Sequence, residues 1–343
     1  MNKSLKTVNW KVFYLSDIFT NYHGKRLVKE QRKNGNIPLL TASESNQGVS
    51  DYISKNKNMT KHIDFISIDM FGHAFYHDYN CYGDDNIYFF KNNSISKQAK
   101  LFIVACINKN SSKYSYGNQF RQDNADKDKI ILPVNSKGEP DYKFMEEYIK
   151  ERENKFKEQY KEHTKKIVVN LKKRIDKEVN WNNFPIADIF NIKSGKRLTK
   201  ADMKIGNIPF ISAADNNNGV TNFISNLNES LDKNVLGVNY DGNGGMVISF
   251  YHPYDCIFSD SVKRFHFKNT QDDKYVFLFT KVSILKQRDK YRYGYKFNET
   301  RMKKQQIMLP VNFKGEPDYE FMHNYMLYLE QKKILEYLEY IDE

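Results

Sequence analysis

LPVNSKGEPDYKFM, Leu132 to Met145, returns as LPVNFKGEPDYEFM, Leu309 to Met322, at an offset of 177 residues. Chance does not write so long a match twice in one chain, so the sequence records a duplication. Working back from this block, FYHDYNC (Phe75 to Cys81) matches FYHPYDC (Phe250 to Cys256) at an offset of 175. Earlier still, GNIP (Gly35 to Pro38) matches Gly206 to Pro209, GKRL (Gly24 to Leu27) matches Gly195 to Leu198, and Gly48 with its following valine matches Gly219, all at 171. The series opens with W-x-x-x-x-L-S-D-I-F from Trp10 and W-x-x-x-x-I-A-D-I-F from Trp181, again at 171. A small loop insertion accounts for the growth of the offset. The expected organisation is one globular domain over residues 1–140, a helix over 141–179, a second copy of the domain over 180–317 and a second helix over 318–343.

Each copy carries short runs rich in β-branched and aromatic residues, bounded by Gly, Asp or Asn. Ile63 to Met70, Asn86 to Phe90, Val235 to Asn239, Met246 to Tyr251 and Val262 to Phe267 are therefore expected as strands. Gln98 to Ile107 and Tyr275 to Leu285 read as short helices. The fold class is α/β (α+β), in two tandem copies. After each Gly-Glu-Pro-Asp turn, Asp141 and Asp318 stand as N-caps to charged stretches free of Gly and Pro. Phe144, Tyr148, Tyr160, Ile167, Leu171 and Ile175 form an apolar stripe on the first helix, and Phe321, Tyr325, Leu329, Leu335 and Leu338 form one on the second. The two stripes are expected to pair as an antiparallel coiled-coil spacer, the alternative being that each helix packs on its own domain. About 30 helical residues at ~1.5 Å each would span on the order of 45 Å, or about 13 base pairs.

With 54 Lys+Arg against 42 Asp+Glu, the chain carries a formal charge of +12, which favours polyanionic partners such as nucleic acid. No apolar run reaches the roughly 18 to 20 residues of a membrane span, and the first ten residues lack a signal peptide's apolar core. Three cysteines are too few and too odd a set for a disulfide framework. A soluble cytoplasmic protein with no membrane partner is expected.

Catalytic readings fail on their own terms. There is no Asn-Pro-Pro-Tyr or Asp-Pro-Pro-Tyr tetrapeptide of the kind that holds a base for methylation, and Asn207-Ile208-Pro209-Phe210 reads as turn chemistry. Pro140-Asp141 with Glu147 and Lys150 resembles a metal-dependent nuclease core, but the second copy lacks the acidic partner, and capping explains both aspartates. Gly242-Asn243-Gly244-Gly245 has no following Lys-Ser or Lys-Thr for a phosphate loop and reads as a hairpin turn. His77 with Cys81 and His252 with Cys256 give two potential ligands per copy where structural zinc wants four. Neither a catalytic residue nor a metal site is expected.

Binding chemistry remains. Lys25-Arg26 and Lys196-Arg197 each follow a glycine turn, where backbone and cations can both approach phosphate. Tyr116, Asn118 and Arg121 in the first copy, and Tyr293, Lys296, Asn298 and Arg301 in the second, mix aromatic, amide and cationic groups suited to base edges. Ordinary packing of those tyrosines is an equal alternative. Between the shared blocks the loops diverge sharply, SKNKNMTKH (Ser54 to His62) against SNLNESLDK (Ser225 to Lys233), as two readers of unlike sites would require.

Through its repeat, the GKR loop, the G-N-I-P and N-G-V or Q-G-V turns and the L-P-V-N-x-K-G-E-P-D-Y-x-F-M block, the chain resembles specificity subunits of type I restriction-modification systems and the related subunits of bifunctional type II enzymes. The resemblance spans nearly the whole sequence and rests on the ordered combination of blocks. It implies two target-recognition domains, each reading half of a split double-stranded DNA target, with helices that dock two methyltransferase (modification) subunits. It also implies that this chain is non-catalytic and holds no cofactor. S-adenosylmethionine and Mg²⁺ would sit on the methyltransferases, and ATP on a further restriction and translocase subunit. The other readings are a decoy that binds methyltransferase subunits, and a stand-alone nuclease or methyltransferase. Only 25 residues follow Asp318, so the second helix departs from the family pattern by being shorter than the first.

Overall fold

The computed structural model describes residues 4–241, 246–292 and 294–342. It separates into two compact units, Met1–Glu158 and Gln159–Glu343. The division falls inside the central helix, which begins in one unit and ends in the other.

The first unit runs β1 (Asn9–Tyr14), α1 (Leu15–Ile18), β2 (Thr20–His23), β3 (Asn34–Leu40), β4 (Val49–Ile53), β5 (Phe65–Asp69), β6 (Ala74–His77), β7 (Tyr82–Gly83), β8 (Ile87–Lys91), α2 (Lys97–Asn108), α3 (Gln122–Lys127), β9 (Lys129–Val134) and the start of α4 (Tyr142–Ile175). Its strands form an antiparallel sheet in the order β2-β8-β5-β6, a small sheet β4-β3-β7, and the ribbon β1-β9. One face of β5 and β8 packs Ile66, Ile68, Tyr88 and Phe90 against α2 and the first turns of α4, where Phe144 and Met145 are buried. The other face packs Phe65 and Phe89 against Leu40 of the small sheet and Cys81 just before β7. Alternation along the strands thus feeds two cores.

The second unit repeats this plan after the end of α4: β10 (Asn180–Pro185), α5 (Ile186–Ile189), β11 (Phe190–Ser194), β12 (Ile205–Ile211), β13 (Val220–Ile224), β14 (Leu231–Asp232), β15 (Val235–Asn239), β16 (Ser249–His252), β17 (Cys256–Phe258), β18 (Val262–Phe267), α6 (Lys274–Leu285), α7 (Glu299–Lys304), β19 (Gln306–Val311) and α8 (Tyr319–Tyr340). The sheets are β11-β18-β15-β16, β13-β12-β17-β14 and β10-β19. Trp10 stacks on Phe102 at 6.3 Å, and Trp181 on Phe279 at 6.2 Å, so even ring contacts repeat. The alignment of strands refines the offset. Ser67 faces Phe75 and Phe89, whereas Gly237 faces Phe250 and Arg264, so the offset drops to 170 before it rises to 175. One residue is lost before β15, and the added residues lie in the β15–β16 connection, 240–248, against 70–73 in the first unit.

The repeated block is a turn followed by a helix cap. The Asn135 Oδ1 atom accepts from Lys137 N and Glu139 N, Asn312 Oδ1 does the same for Lys314 and Glu316, and Gly138 and Gly315 take φ of +76° and +78°, which glycine tolerates freely. Asp141 Oδ1 then accepts from Phe144 N at 3.0 Å, and Asp318 Oδ1 from Phe321 N at 2.8 Å. These aspartates open α4 and α8 as N-caps.

Within the second unit, the end of α4 runs antiparallel to α8. Lys161 Nζ meets Asp342 Oδ2 at 2.6 Å at one end, and Lys177 Nζ meets Asp318 Oδ2 at 3.0 Å at the other. Thr164, Leu171 and Leu338 are buried. The first turns of both long helices belong to their own domains. Phe144 and Phe321 lie in those cores, 4% and 7% exposed, and Tyr148 packs edge-on against Phe102. Packing on the domain, the alternative to pairing, therefore holds for these turns, where Phe144 joins α2 and Phe321 joins α6 in the domain core. Farther along, Ile167 and Leu335 are half-buried, while Tyr160, Tyr325 and Leu329 remain exposed. No helix of the described residues is long and apolar enough to cross a membrane.

Candidate nucleic-acid interface

The glycine of each GKR loop is fixed by sterics. A Cβ on Gly24 would lie 1.9 Å from the Asp84 carbonyl oxygen, and one on Gly195 would lie 2.0 Å from that of Ser259. The loop therefore lies directly on the turn between β7 and β8, or between β17 and β18. Gly24 N donates to Ile87 O and Lys25 N to Gly83 O, and Gly195 and Lys196 repeat the pattern with Val262 and Phe258. Leu27, buried against Tyr82 and Leu39, anchors the far side. The cations are left outward. Arg26 is 77% and Arg197 80% exposed, each 3.8 Å from an aspartate on the facing turn, Asp85 and Asp260 respectively.

The lysines differ. Lys25 is exposed and has no ion-pair partner among the described residues. Lys196 is held 2.6 Å from Glu229 on the 225–233 loop. A cation already paired to its own carboxylate gains less from phosphate than a free one.

The same turn brings in the second predicted cluster. Arg121 donates from Nη1 to Asn86 Oδ1 at 3.3 Å and from Nη2 to Gln119 Oε1. Residues 84–86 thus join Lys25 and Arg26 to Arg121 on one surface. His23, unremarked in the sequence, lies between, its ring stacked on Tyr88 at 4.6 Å and bonded to Asp85 O. Tyr116 stands at the tip of a turn closed by Ser115 and Asn118 and is 85% exposed. The Asn118 amide is turned inward, donating to Lys113 O at 2.8 Å.

In the second unit Tyr293 lies outside the described residues, as does 242–245. Lys296 pairs with Asp241 at 2.8 Å. Asn298 is the N-cap of α7, its Oδ1 accepting from Arg301 N at 3.0 Å, and Arg301 stacks 3.8 Å from the Tyr295 ring centroid while donating to Lys296 O. Lys263 Nζ links this segment to the GKR loop, reaching Ser194 Oγ at 2.5 Å and Glu299 at 3.3 Å. The first unit therefore brings Arg121 to the turn that seats Lys25 and Arg26, and in the second Lys263 joins Ser194, just before the GKR loop, to Glu299 of α7, while Asn298 and Arg301 serve their own backbone.

Sequence reasoning missed one slot beneath this surface. In the first unit His62 stacks on Phe89 at 4.1 Å, and burial, then the charge of Lys91, hold its imidazole down to about 4. In the second unit the same ladder positions are Asp232 and Arg264, paired at 3.0 Å, with His266 bridging Asp232 at 3.1 Å and Asp272 at 2.6 Å. Hydrogen bonds to Asp232 and then Asp272 push His266 up to about 9. An aromatic stack in one copy is a charge cluster in the other. The divergent loops 54–62 and 225–233 carried the signal, since each supplies the first member of its slot.

His77 and His252 are core imidazoles. Burial brings both down to about 4. His77 bonds Ser67 Oγ at 2.8 Å and Tyr79 Oη at 3.1 Å. Gly237 replaces that serine in the second unit, so His252 Nε2 has no hydrogen-bond partner among the described residues. No group of three or more His, Cys, Asp or Glu among the described residues is placed to hold a metal ion.

The model of the type I restriction modification DNA specificity domain matches residues 7–162 and again 178–343. The chain belongs to this family and carries its domain twice. It is 38% identical, over 95% of this chain and 96% of the relative, to the specificity subunit S.BcgI of the type II restriction enzyme BgcI from Heyndrickxia coagulans. Among solved structures it matches an S subunit of a type I restriction-modification system from M. genitalium, at 13% identity over 99% of this chain and 95% of that one with a TM-score of 0.39. It also matches an HsdS subunit from Thermoanaerobacter tengcongensis, at 10% identity over 97% and 92% with a TM-score of 0.35.

Proposed function

We propose that this chain is the DNA-reading specificity subunit of a restriction-modification complex, working in the cytoplasm without catalysis of its own. Each domain would read one half of a bipartite duplex target. Lys25, Arg26, Lys196 and Arg197 would meet phosphates, while the 115–121 and 292–301 segments approach base edges. Exposed stretches of the two long helices would dock two methyltransferase subunits carrying S-adenosylmethionine and Mg²⁺, and an ATP-driven restriction subunit would join the same assembly. The observation that carries this reading is the glycine-seated Lys-Arg turn occurring once in each of two tandem specificity domains.

Methylome sequencing of the host with and without the gene tests it. Loss of a single split adenine-methylation motif is the expected result. Methylation or cleavage of DNA by the purified chain alone would overturn the reading.

A further inference from the structure

We propose that the two domains hold the DNA backbone unequally, the first acting as the electrostatic clamp through Lys25 and the 54–62 loop. This rests on the DNA-recognition reading above and adds which domain supplies backbone affinity. The 54–62 loop bears Lys55, Lys57 and Lys61 and no acid, a net charge of +3. All three lysines are exposed, with no ion-pair partner among the described residues. The loop is seated beside the GKR turn: Asn56 N donates to Tyr82 Oη at 3.1 Å, and Met59 packs in the cluster that holds Leu27 and Tyr82.

The matching 225–233 loop bears Glu229, Asp232 and Lys233, a net charge of −1. Its acids turn on the domain's own cations. Glu229 takes Lys196 at 2.6 Å, and Asp232 takes Arg264 at 3.0 Å. Counterions released on binding come from cations that meet phosphate without losing another anion, so the free lysines of the first domain dominate the salt dependence. The second domain's loop leaves little net charge for the backbone.

The test uses the full chain and an arbitrary duplex of about 30 base pairs, with affinity measured across a salt series. Replacing Lys55, Lys57 and Lys61 together with Gln should lower the slope of log affinity against log salt by roughly 2.7, so the wild-type advantage shrinks about 40-fold between about 50 and 200 mM salt. Lys196→Gln should change the slope by well under the ~0.9 of a free phosphate contact, and Glu229→Gln should raise it toward that value by freeing Lys196. A melting curve unchanged from wild type shows that each surface variant is folded, and Glu229→Gln moves the readout in the opposite direction to damage. If the three first-loop lysines together matter no more than Lys196, the asymmetry is overturned while DNA recognition stands. A wild-type chain with no salt-dependent DNA affinity overturns the recognition reading and this inference with it.

Discussion

Replacing Asp232 with Asn isolates what the charge cluster contributes to the second domain. The carboxylate lies 3.0 Å from Arg264 Nη1 and 3.1 Å from His266 Nε2, and the Arg264 side chain is only 7% exposed. Removing one member of a well-buried ion pair costs about 3–5 kcal/mol, because the other charge stays buried. Arg264 keeps one bond, from Nη2 to Ser194 O at 2.8 Å, which reduces the expected loss to about 2–4 kcal/mol. For a unit of this size that lowers the second domain's melting temperature by roughly 5–12 °C. The first domain's transition should not move, since its slot holds the His62–Phe89 stack.

A pH series sharpens the test. His266 is held up to about 9, above the ordinary imidazole, so its stabilisation is fully present below about 6.5 and is lost as pH rises through 9. In full this is worth about 3 kcal/mol, and with a fifth of the side chain exposed we expect about 2 after solvent screening. Burial pushes the Asp232 carboxyl up, but the hydrogen bond and charge of His266 outweigh it and leave it low. Asp232→Asn leaves His266 only Asp272, so the variant should lose less on alkalinisation. The gap between wild type and variant should therefore narrow from pH 6 to pH 9.5 in thermal or denaturant melts. A gap constant across that range, or no destabilisation at pH 7, would refute the assignment.

Gly195→Ala and Gly24→Ala should each destabilise by about 2–3 kcal/mol and weaken DNA binding, since the Cβ meets backbone carbonyls and two loop hydrogen bonds of about 1 kcal/mol each are lost. Gly117→Ala, with nothing within 4 Å of its Cβ, is the matched control and should melt as wild type. The buried imidazoles predict acid sensitivity of the opposite sign to His266: held down to about 4, His77 and His252 contribute stability present above about 6.5 and lost as pH falls through 4. His252→Phe should show a shallower acid loss at little cost near pH 7, whereas His77→Phe removes the 2.8 Å partner of Ser67 Oγ, leaving that hydroxyl only its longer bond to Phe75 O at 3.4 Å, and costs about 1 kcal/mol there; equal melts for the two would contradict the pairing described.

Legibility in the sequence tracked how local the chemistry is. The Gly-Glu-Pro-Asp turn and its aspartate cap are written within a few residues, so their roles and the duplication follow from spacing alone. The pairing of α4 with α8 was legible from the stripes only beyond their first turns. Nothing local to Phe144 or Phe321 says that α2 or α6 will cover them. In the interface, the seated Lys-Arg turns were visible, but the ion pair that occupies Lys196 was not, because Glu229 is 33 residues away.

The least legible features are those that make the two domains different readers. Ser67 against Gly237, His62 against Asp232 and Phe89 against Arg264 occupy identical ladder positions, yet a one-residue slip hides the correspondence between matched blocks. The exchange of His62 and Phe89 for Asp232 and Arg264 is tolerable only as a pair. Asp232 without Arg264 would be a partly buried lone carboxylate, and Arg264 opposite His62 would be a cation without an anion. The scaffold thus constrains this pair to change together, and the second domain's solution draws acids inward from the loop that borders its Lys-Arg turn. Packing beneath the surface and charge on it are then coupled through one loop, which on the proposed DNA-reading function would tie the stability of the Asp232 cluster to how strongly that domain holds DNA.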